Sequence, residues 1–332
     1  MEIVENLIFM NIPMWLIFSI ICIIAWGLED VFLRTIALKN NSNFNLKIAV
    51  CTGVMGIAVL PYLTSNSESG YSIMTLILSD VTVFLACITY TVLLIIAFLG
   101  AKYLAASIYS PIENGSSGFE IVLILAYAVI TGNYSEVSSF ISPSSIIAMV
   151  LIFGGIIALA IVHKRINDDA LTLDPQNKKY RYGVKAFLFP LLICIADALS
   201  TVVDTINLGG VGKEVIGSFD YMRLYAVSYI LIGVVAWFII LYRTKKLYTP
   251  FCKDEILNFS VGLCEGGAGI LYIFTIEQNA ILSLPITNAY CIVTLILSRI
   301  FLKEKLTLIQ KICVTTVIIG IIIITLIGIQ GA

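Results

Sequence analysis

The stretch "AASIYSPIEN", residues 105–114, decides the fold, because its pattern occurs a second time in the chain. It lies without a gap over "NAILSLPITN", residues 279–288, so that Pro111 matches Pro285 and Asn114 matches Asn288. Alanine and isoleucine recur as well. Both copies place a proline and polar residues inside long apolar runs, which predicts a helix that breaks at mid-span in each half of the chain.

The apolar runs around these copies indicate a membrane protein. Of the 332 residues, 59% are hydrophobic and only 12% are charged, and the mean hydropathy is +1.01. Soluble domains are about 25% charged, and a spanning helix needs about 20 mostly apolar residues. Transmembrane strands would need short alternating segments of about ten residues. We therefore expect an all-α integral membrane protein with ten transmembrane helices, at about 13–38, 45–64, 73–100, 103–131, 142–162, 184–208, 219–242, 256–276, 279–302 and 307–329.

A polar insert, residues 163–183, divides these runs into five and five. The expected organisation is a first five-helix repeat at 1–162, a linker at 163–183 and a second five-helix repeat at 184–332. Because five is odd, the second repeat must cross the membrane in the opposite sense to the first. The sequence therefore predicts two inverted repeats, which are a common transporter architecture.

The basic residues predict the orientation. Of the 20 Lys and Arg residues, 16 lie in or beside the loops that follow the odd-numbered spans, namely 39, 47, 102, 164, 165, 178, 179, 181, 185, 243, 245, 246, 253, 303, 305 and 311. Cytoplasmic loops carry the excess of basic residues. We expect a plasma-membrane protein with a cytoplasmic 163–183 loop and both termini outside.

Several classes of function are excluded or disfavoured by composition. The chain has a single histidine, His163, and its eight cysteines show no CxxC or CxxH spacing, which disfavours metal sites. No basic patch suits nucleic acid. We expect no metal, no cofactor and no nucleic-acid partner.

Charged side chains inside the apolar runs are the main functional signal, because each costs about 2.5–3.5 kcal/mol at the bilayer centre. Glu113, Asp197 and Glu265 lie near mid-depth and have no basic partner within their own helix. We interpret them as substrate- or proton-binding groups, with Glu29 as a further candidate. Asp30 and Arg34 are four residues apart, on one helix face, and are expected to form a structural ion pair.

Uncharged neighbours complete the predicted site. Trp26, Tyr109 and Tyr290 could hold a cationic group by cation–π attraction, with ordinary helix packing as the alternative. Asn114 and Asn288 would be symmetry-related polar contacts beside the two proline breaks. Glu113 is matched by Thr287 in the second copy, so its carboxylate belongs to one half only.

The motifs resemble those of the drug/metabolite transporter superfamily, EamA type. The resemblance covers nearly the whole chain and rests on three stretches: the Trp-Gly of "IIAWGLEDVFLR" (23–34), the turn "LGAKYLAAS" (99–107), and "SRIFLKEKLTLIQKICVTTVIIGIIII" (298–324). In the last stretch Glu304 would be the family's turn glutamate and Gly320 its late glycine. The resemblance implies secondary transport by alternating access, through a central cavity lined by spans 1, 3, 4, 6, 8 and 9.

The sequence thus predicts a non-enzymatic transporter that moves a small polar or cationic, amine-bearing metabolite across the membrane, with proton coupling left open. An exporter of amino acids or drugs with the same fold is the alternative. A more distant alternative is an intramembrane hydrolase that uses Asp197 and Asp204 as a carboxylate pair.

Overall fold

A computed structural model describes residues 14–39, 43–131, 143–173, 183–208 and 215–331. The elements are all helical over these ranges, with no strand among them. The α-helices are α1 Met14–Leu38, α2 Phe44–Ser65, α3 Ile73–Ser79, α4 Val81–Ala97, α5 Ala106–Glu113, α6 Ser116–Thr131, α7 Pro143–Leu173, α8 Leu188–Asn207, α9 Ser218–Thr244, α10 Ile256–Thr287, α11 Tyr290–Leu297 and α12 Leu308–Gly331. Short 3₁₀ turns occupy Phe98–Lys102, Gly183–Phe187 and Lys253–Glu255, and a π turn occupies Ser298–Leu302.

Six segments in the described ranges are long and apolar enough to cross a membrane: Met14–Leu38, Phe44–Ser65, Val81–Lys102, Lys185–Asn207, Ser218–Thr244 and Lys253–Gln278. Their outward surfaces are apolar too, since Ile57, Leu85 and Phe238 are each more than half exposed. Soluble proteins rarely expose apolar patches of this extent. The fold is therefore consistent with a multi-pass, all-α membrane protein.

Helix boundaries differ from the predicted runs at three places. Asp80 separates α3 from α4 and caps the latter, so the predicted 73–100 span is two helices. The helix α7 continues to Leu173, eleven residues into the predicted 163–183 linker, of which 174–182 lie outside the described residues. The turn predicted at about 277–278 is also wrong, because α10 is helical from Ile256 to Thr287.

Two helix breaks follow the repeated prolines. The helix α5 ends two residues after Pro111, and Asn114 and Gly115 form a turn before α6. The helix α10 ends two residues after position 285, and a turn at Asn288 and Ala289 precedes α11. Proline removes one backbone donor and crowds the preceding turn of helix, and the turns that follow bring polar groups to the interior.

The helices pack into one bundle around these breaks. Helix α1 lies against α10 and α11, and α8 lies against α4, α5 and α6. Helix α2 packs on α9, and α7 packs on α12. The interior thus receives side chains from α1, α4, α5, α8, α10 and α11.

Glycines allow the closest helix contacts. A Cβ on Gly233 of α9 would lie 2.9 Å from the Cα of Gly53 on α2 and 3.0 Å from the carbonyl oxygen of Ala49. The GxxxG pair of α10 serves the same purpose: a Cβ on Gly262 would lie 2.7 Å from the Cβ of Cys51, also on α2. Small residues that let backbones approach are the usual means of packing helices in a membrane.

We expect Gly233→Ala to destabilise the protein by about 1–3 kcal/mol, because the added methyl group forces two backbones apart. Gly154→Ala is the matched control: a Cβ there meets nothing within 4 Å, so the substitution should be neutral or slightly stabilising. Thermal unfolding in detergent measures both. Equal unfolding temperatures for the two variants would contradict the assigned contact.

Candidate functional site

A central cavity lies where the two helix breaks meet α1, α4, α8 and α10. Eight of the residues predicted for the site line it: Trp26, Glu29, Tyr109, Glu113, Asp197, Glu265, Asn288 and Tyr290. Asp30 lines it as well. Residues far apart in the sequence therefore meet at one place.

The lining of this cavity is strongly acidic. Five of the described residues that line it carry a carboxyl group, namely Glu29, Asp30, Glu113, Asp197 and Glu265, and none of the described lining residues is basic. The ion pairs found among the described residues join other groups: Arg34 to Glu304, Lys47 to Glu255 and Arg223 to Asp220. The cavity thus concentrates carboxyl groups without protein cations to balance them.

Neutral donors hold three of these carboxyl groups in place. The Trp26 Nε1–H donates to Glu265 Oε2 at 3.2 Å. The Ser116 hydroxyl donates to Asp197 Oδ2 at 2.7 Å, and the Thr294 hydroxyl donates to Asp30 Oδ2 at 2.7 Å. Each bond joins two different helices, so the helix packing sets the direction in which each carboxyl group points.

Glu29 is different, because its Oε2 atom is buried and has no hydrogen-bond partner among the described residues. The residue is only 5% exposed and lines the cavity. A buried carboxyl oxygen without a donor costs about 1–3 kcal/mol or more. Such an atom is suited to accept a hydrogen bond from a ligand that brings its own donor.

Aromatic rings form the rest of the wall. The Trp26 ring lies 5.4 Å from the Tyr272 ring and 5.6 Å from the Tyr290 ring, centroid to centroid. The Tyr109 ring lines the cavity while its hydroxyl donates to the Ala97 carbonyl at 3.1 Å. The Trp26 and Tyr290 assignments from sequence thus fall in the same aromatic cluster.

The predicted ion pair between Asp30 and Arg34 is not formed. Arg34 Nε lies 3.6 Å from Glu304 Oε1, and its NH1 group donates to the Ala101 carbonyl. Asp30 instead turns toward Thr294 and the cavity. The spacing on α1 permits a pair, but the turn that carries Glu304 offers Arg34 a partner, and Thr294 offers Asp30 a donor.

The two asparagines have unequal places. Asn288 lines the cavity, and its amide nitrogen lies 3.4 Å from both carboxyl oxygens of Glu120. Asn114 lies outside the cavity lining: its amide donates to the Ser110 carbonyl at 2.8 Å, and its buried Oδ1 atom has no hydrogen-bond partner in the described part of the chain. Only the second-half asparagine therefore contributes to the cavity, and Asn114 serves the turn between α5 and α6.

A second cavity adjoins the first and shares Trp26, Tyr90, Asp197, Glu265 and Tyr272 with it. Asp204 lies at its far end, two turns of α8 from Asp197. Asp204 is 3% exposed, so it is a buried residue and not a solvated charge at a helix end.

Sequence reasoning missed four tyrosines of the two cavities. Tyr90 and Tyr272 line both cavities, and Tyr225 and Tyr229 line the second. A tyrosine in the middle of a predicted span is an available signal, since its hydroxyl needs a partner when buried. Ordinary packing gives the same pattern, however, so sequence alone does not separate cavity tyrosines from the others.

No cluster of three or more His, Cys, Asp or Glu side chains with the geometry of a metal site occurs in the part of the chain that is described. The described carboxyl groups of the acidic cavity are therefore not close enough together to form a metal site. The single histidine lies at a position whose side chain is outside the described set.

Comparison with known proteins gives the fold and no activity. No known protein family matches the sequence, and no curated protein does. A solved crystal structure is similar to this chain with a TM-score of 0.55 and 12% sequence identity, over 95% of this chain and 97% of that one. At this identity the similarity concerns the arrangement of the helices alone, which extends over nearly the full length of both chains.

Proposed function

We propose that this protein is a secondary transporter that moves a small cationic, amine-bearing metabolite across the plasma membrane by alternating access. The observation that carries the proposal is the central cavity, whose described lining residues include five with carboxyl groups and none that is basic. A substrate with an ammonium group supplies the charge and the N–H donors that this lining lacks. Exchange of the cation for protons on the same carboxyl groups is the coupling that we propose.

The energy of burial favours a ligand-binding role over a structural one. Each charged group at mid-membrane costs about 2.5–3.5 kcal/mol on insertion scales. A scaffold role would require that partners offset this cost, as Glu304 does for Arg34. Glu29 has a buried oxygen without a donor among the described residues and lines the cavity, which supports a ligand-binding role.

We further propose ten transmembrane helices arranged as two inverted five-helix repeats. The contacts support this arrangement, because the main helix pairs have counterparts when the halves are exchanged. The contact of α1 with α10 corresponds to that of α8 with α4, and the contact of α2 with α10 corresponds to that of α9 with α4. The pairs α2–α9 and α7–α12 each correspond to themselves. The two proline-associated breaks add a further correspondence.

The proposed orientation places the 163–183 loop in the cytoplasm and both termini outside, following the distribution of Lys and Arg. The resemblance of the sequence motifs to those of the drug/metabolite transporters, EamA type, implies the same transport role. The alternative is an exporter of amino acids or drugs with the same fold. The direction of transport depends on the gradients of substrate and coupling ion.

The intramembrane-hydrolase alternative has less support. Asp197 and Asp204 are seven residues apart on α8, so their Cα atoms lie about 10.5 Å apart along the helix. One oxygen of Asp204 accepts hydrogen bonds from the hydroxyls of Tyr221 and Tyr225, so this carboxyl group also has a structural role. At this separation the two carboxyl groups are poorly placed to act together as general acid and general base on one scissile bond.

A ligand-stabilisation screen on the purified protein tests the proposal. Primary amines should raise the unfolding temperature, while sugars and carboxylates of the same size should leave it unchanged, because only ligands that prefer the folded cavity stabilise it. Flux of the stabilising amine into proteoliposomes should follow. Stabilisation by carboxylates alone, or by no amine, would refute the proposed substrate charge.

A further inference from the structure

We propose that the substrate is a linear diamine or polyamine, with one ammonium group at Asp204 and another at Asp197 and Glu265. The inference rests on the proposed function and specifies its substrate class. Its basis is the second cavity, which has carboxyl groups at both ends and aromatic rings between them.

The far end of this cavity is built for a cation. The hydroxyls of Tyr221 and Tyr225 both donate to Asp204 Oδ1, at 2.5 Å and 3.3 Å. The other oxygen, Oδ2, receives no hydrogen bond from the described residues, although Asp204 is only 3% exposed. The two tyrosines thus fix the carboxyl group and leave one oxygen to accept a ligand donor.

The near end carries two further carboxyl groups. Glu265 is fixed by Trp26 and Asp197 by Ser116, in each case through one oxygen. Both residues line the second cavity as well as the central one. Among the described residues that line the second cavity, none is basic. A ligand with one positive charge would balance one end only, whereas a ligand with two separated charges balances both.

The wall between the ends suits a chain of methylene groups. It is formed mainly by rings, those of Trp26, Tyr90, Tyr225, Tyr229 and Tyr272. Ring faces attract both methylene groups and the positive charge on the carbon atoms next to nitrogen.

Two of these rings are held in fixed orientations. The Tyr225 hydroxyl lies 2.8 Å from the Ser200 hydroxyl, and the Tyr272 hydroxyl lies 3.3 Å from the Thr201 hydroxyl. Because the rings are fixed before a ligand enters, less conformational entropy is lost on binding.

The spacing of the two ends selects a length. Asp197 and Asp204 are seven residues apart on α8, so their Cα atoms are separated by about 10.5 Å along the helix axis, at 1.5 Å per residue. An extended chain advances about 1.2 Å per bond, so a diamine with roughly nine bonds between its nitrogens spans this distance. Spermidine and the diamine with eight methylene groups have this length. A diamine with three methylene groups does not reach both ends.

Calorimetric titration of the full-length protein in detergent tests the proposal with three probes. These are the diamine with eight methylene groups, the amino alcohol of the same length, and the diamine with three methylene groups. We expect the long diamine to bind roughly tenfold more tightly than either of the others, since only it gains a second charge-assisted contact. Equal affinity of the long diamine and its amino alcohol would overturn the proposal and leave a monoamine transporter intact.

The variant Asp204→Asn gives the second arm. It keeps an oxygen for the two tyrosine hydroxyls but loses the charge, so it should lower the affinity for the long diamine to that of the amino alcohol. The affinity for the amino alcohol should fall by less, because its single ammonium group can bind at Asp197 and Glu265 instead. An equal loss for both ligands would overturn the assignment of Asp204, while the chain-length series on the unmodified protein tests the same idea without any substitution. Failure of every amine to bind the unmodified protein would overturn the proposed function as well.

Discussion

Replacing Glu265 with glutamine should reduce amine uptake by roughly tenfold to a hundredfold, while the folded protein is still produced. Glu265 lines both cavities and is fixed by the Trp26 indole at 3.2 Å. Glutamine keeps the size of the side chain and an oxygen for the indole but loses the negative charge. A hydrogen bond to a charged group contributes about 1.5–3 kcal/mol, which corresponds to this range of affinity.

The measurement is uptake of labelled amine by proteoliposomes with matched amounts of protein. Asp254→Asn is the control, since Asp254 is an exposed acid in the turn just before the same helix. It should transport like the unmodified protein. The variant Glu113→Gln should resemble Glu265→Gln, because Glu113 lines the central cavity from the break in the first half. Normal uptake by both cavity variants would contradict the site.

Replacing Glu304 with alanine should destabilise the folded state by about 3–5 kcal/mol, because it leaves a buried arginine without its counter-charge. Arg34 is 5% exposed and lies 3.6 Å from Glu304. Glu304 also accepts the backbone N–H groups of Ala106 and Ser107, both at 3.0 Å, and so caps α5. One side chain therefore joins α1, the start of α5 and the turn after α11.

The unfolding temperature in detergent should fall by roughly 5–15 °C for Glu304→Ala. The unfolding temperature of Glu304→Gln should fall by less, because glutamine keeps an oxygen that accepts from the backbone N–H groups at the start of α5 but loses the charge that pairs with Arg34. Lys305→Ala is the neighbouring control, because Lys305 is exposed and should tolerate the change. If Glu304→Ala unfolds at the temperature of the control, Arg34 has another partner.

Much of the fold could be predicted from the sequence, because spanning helices must satisfy their own backbone hydrogen bonds and need long apolar runs. The runs that became α1, α2 and α9 were placed to within one or two residues. The break at Asp80 and the continuous α10 were not predicted, because apolar composition is the same on both sides of a turn inside the membrane.

The sequence predicted which residues belong to the candidate site better than it predicted which side chains contact one another. Buried acids in apolar runs are costly and therefore conspicuous, which is why Glu113, Asp197 and Glu265 could be selected from depth alone. The partner of Arg34 could not be predicted in this way, because Glu304 lies 270 residues further along the chain. Local spacing suggested Asp30, and a tertiary contact provided Glu304.

The sequence by itself determined that the chain is an all-α protein of membrane character with acids at mid-span and a repeated proline–asparagine pattern. Those features depend on composition and local spacing, which the chain carries in every conformation. Only the tertiary structure decided that the acids of α1, α5, α8 and α10 share one cavity, that Asp204 is buried between Tyr221 and Tyr225, and that Asn114 lies outside the cavity. These facts depend on how the helices rotate and pack against one another, and the apolar stripes that drive packing do not specify which polar groups will meet.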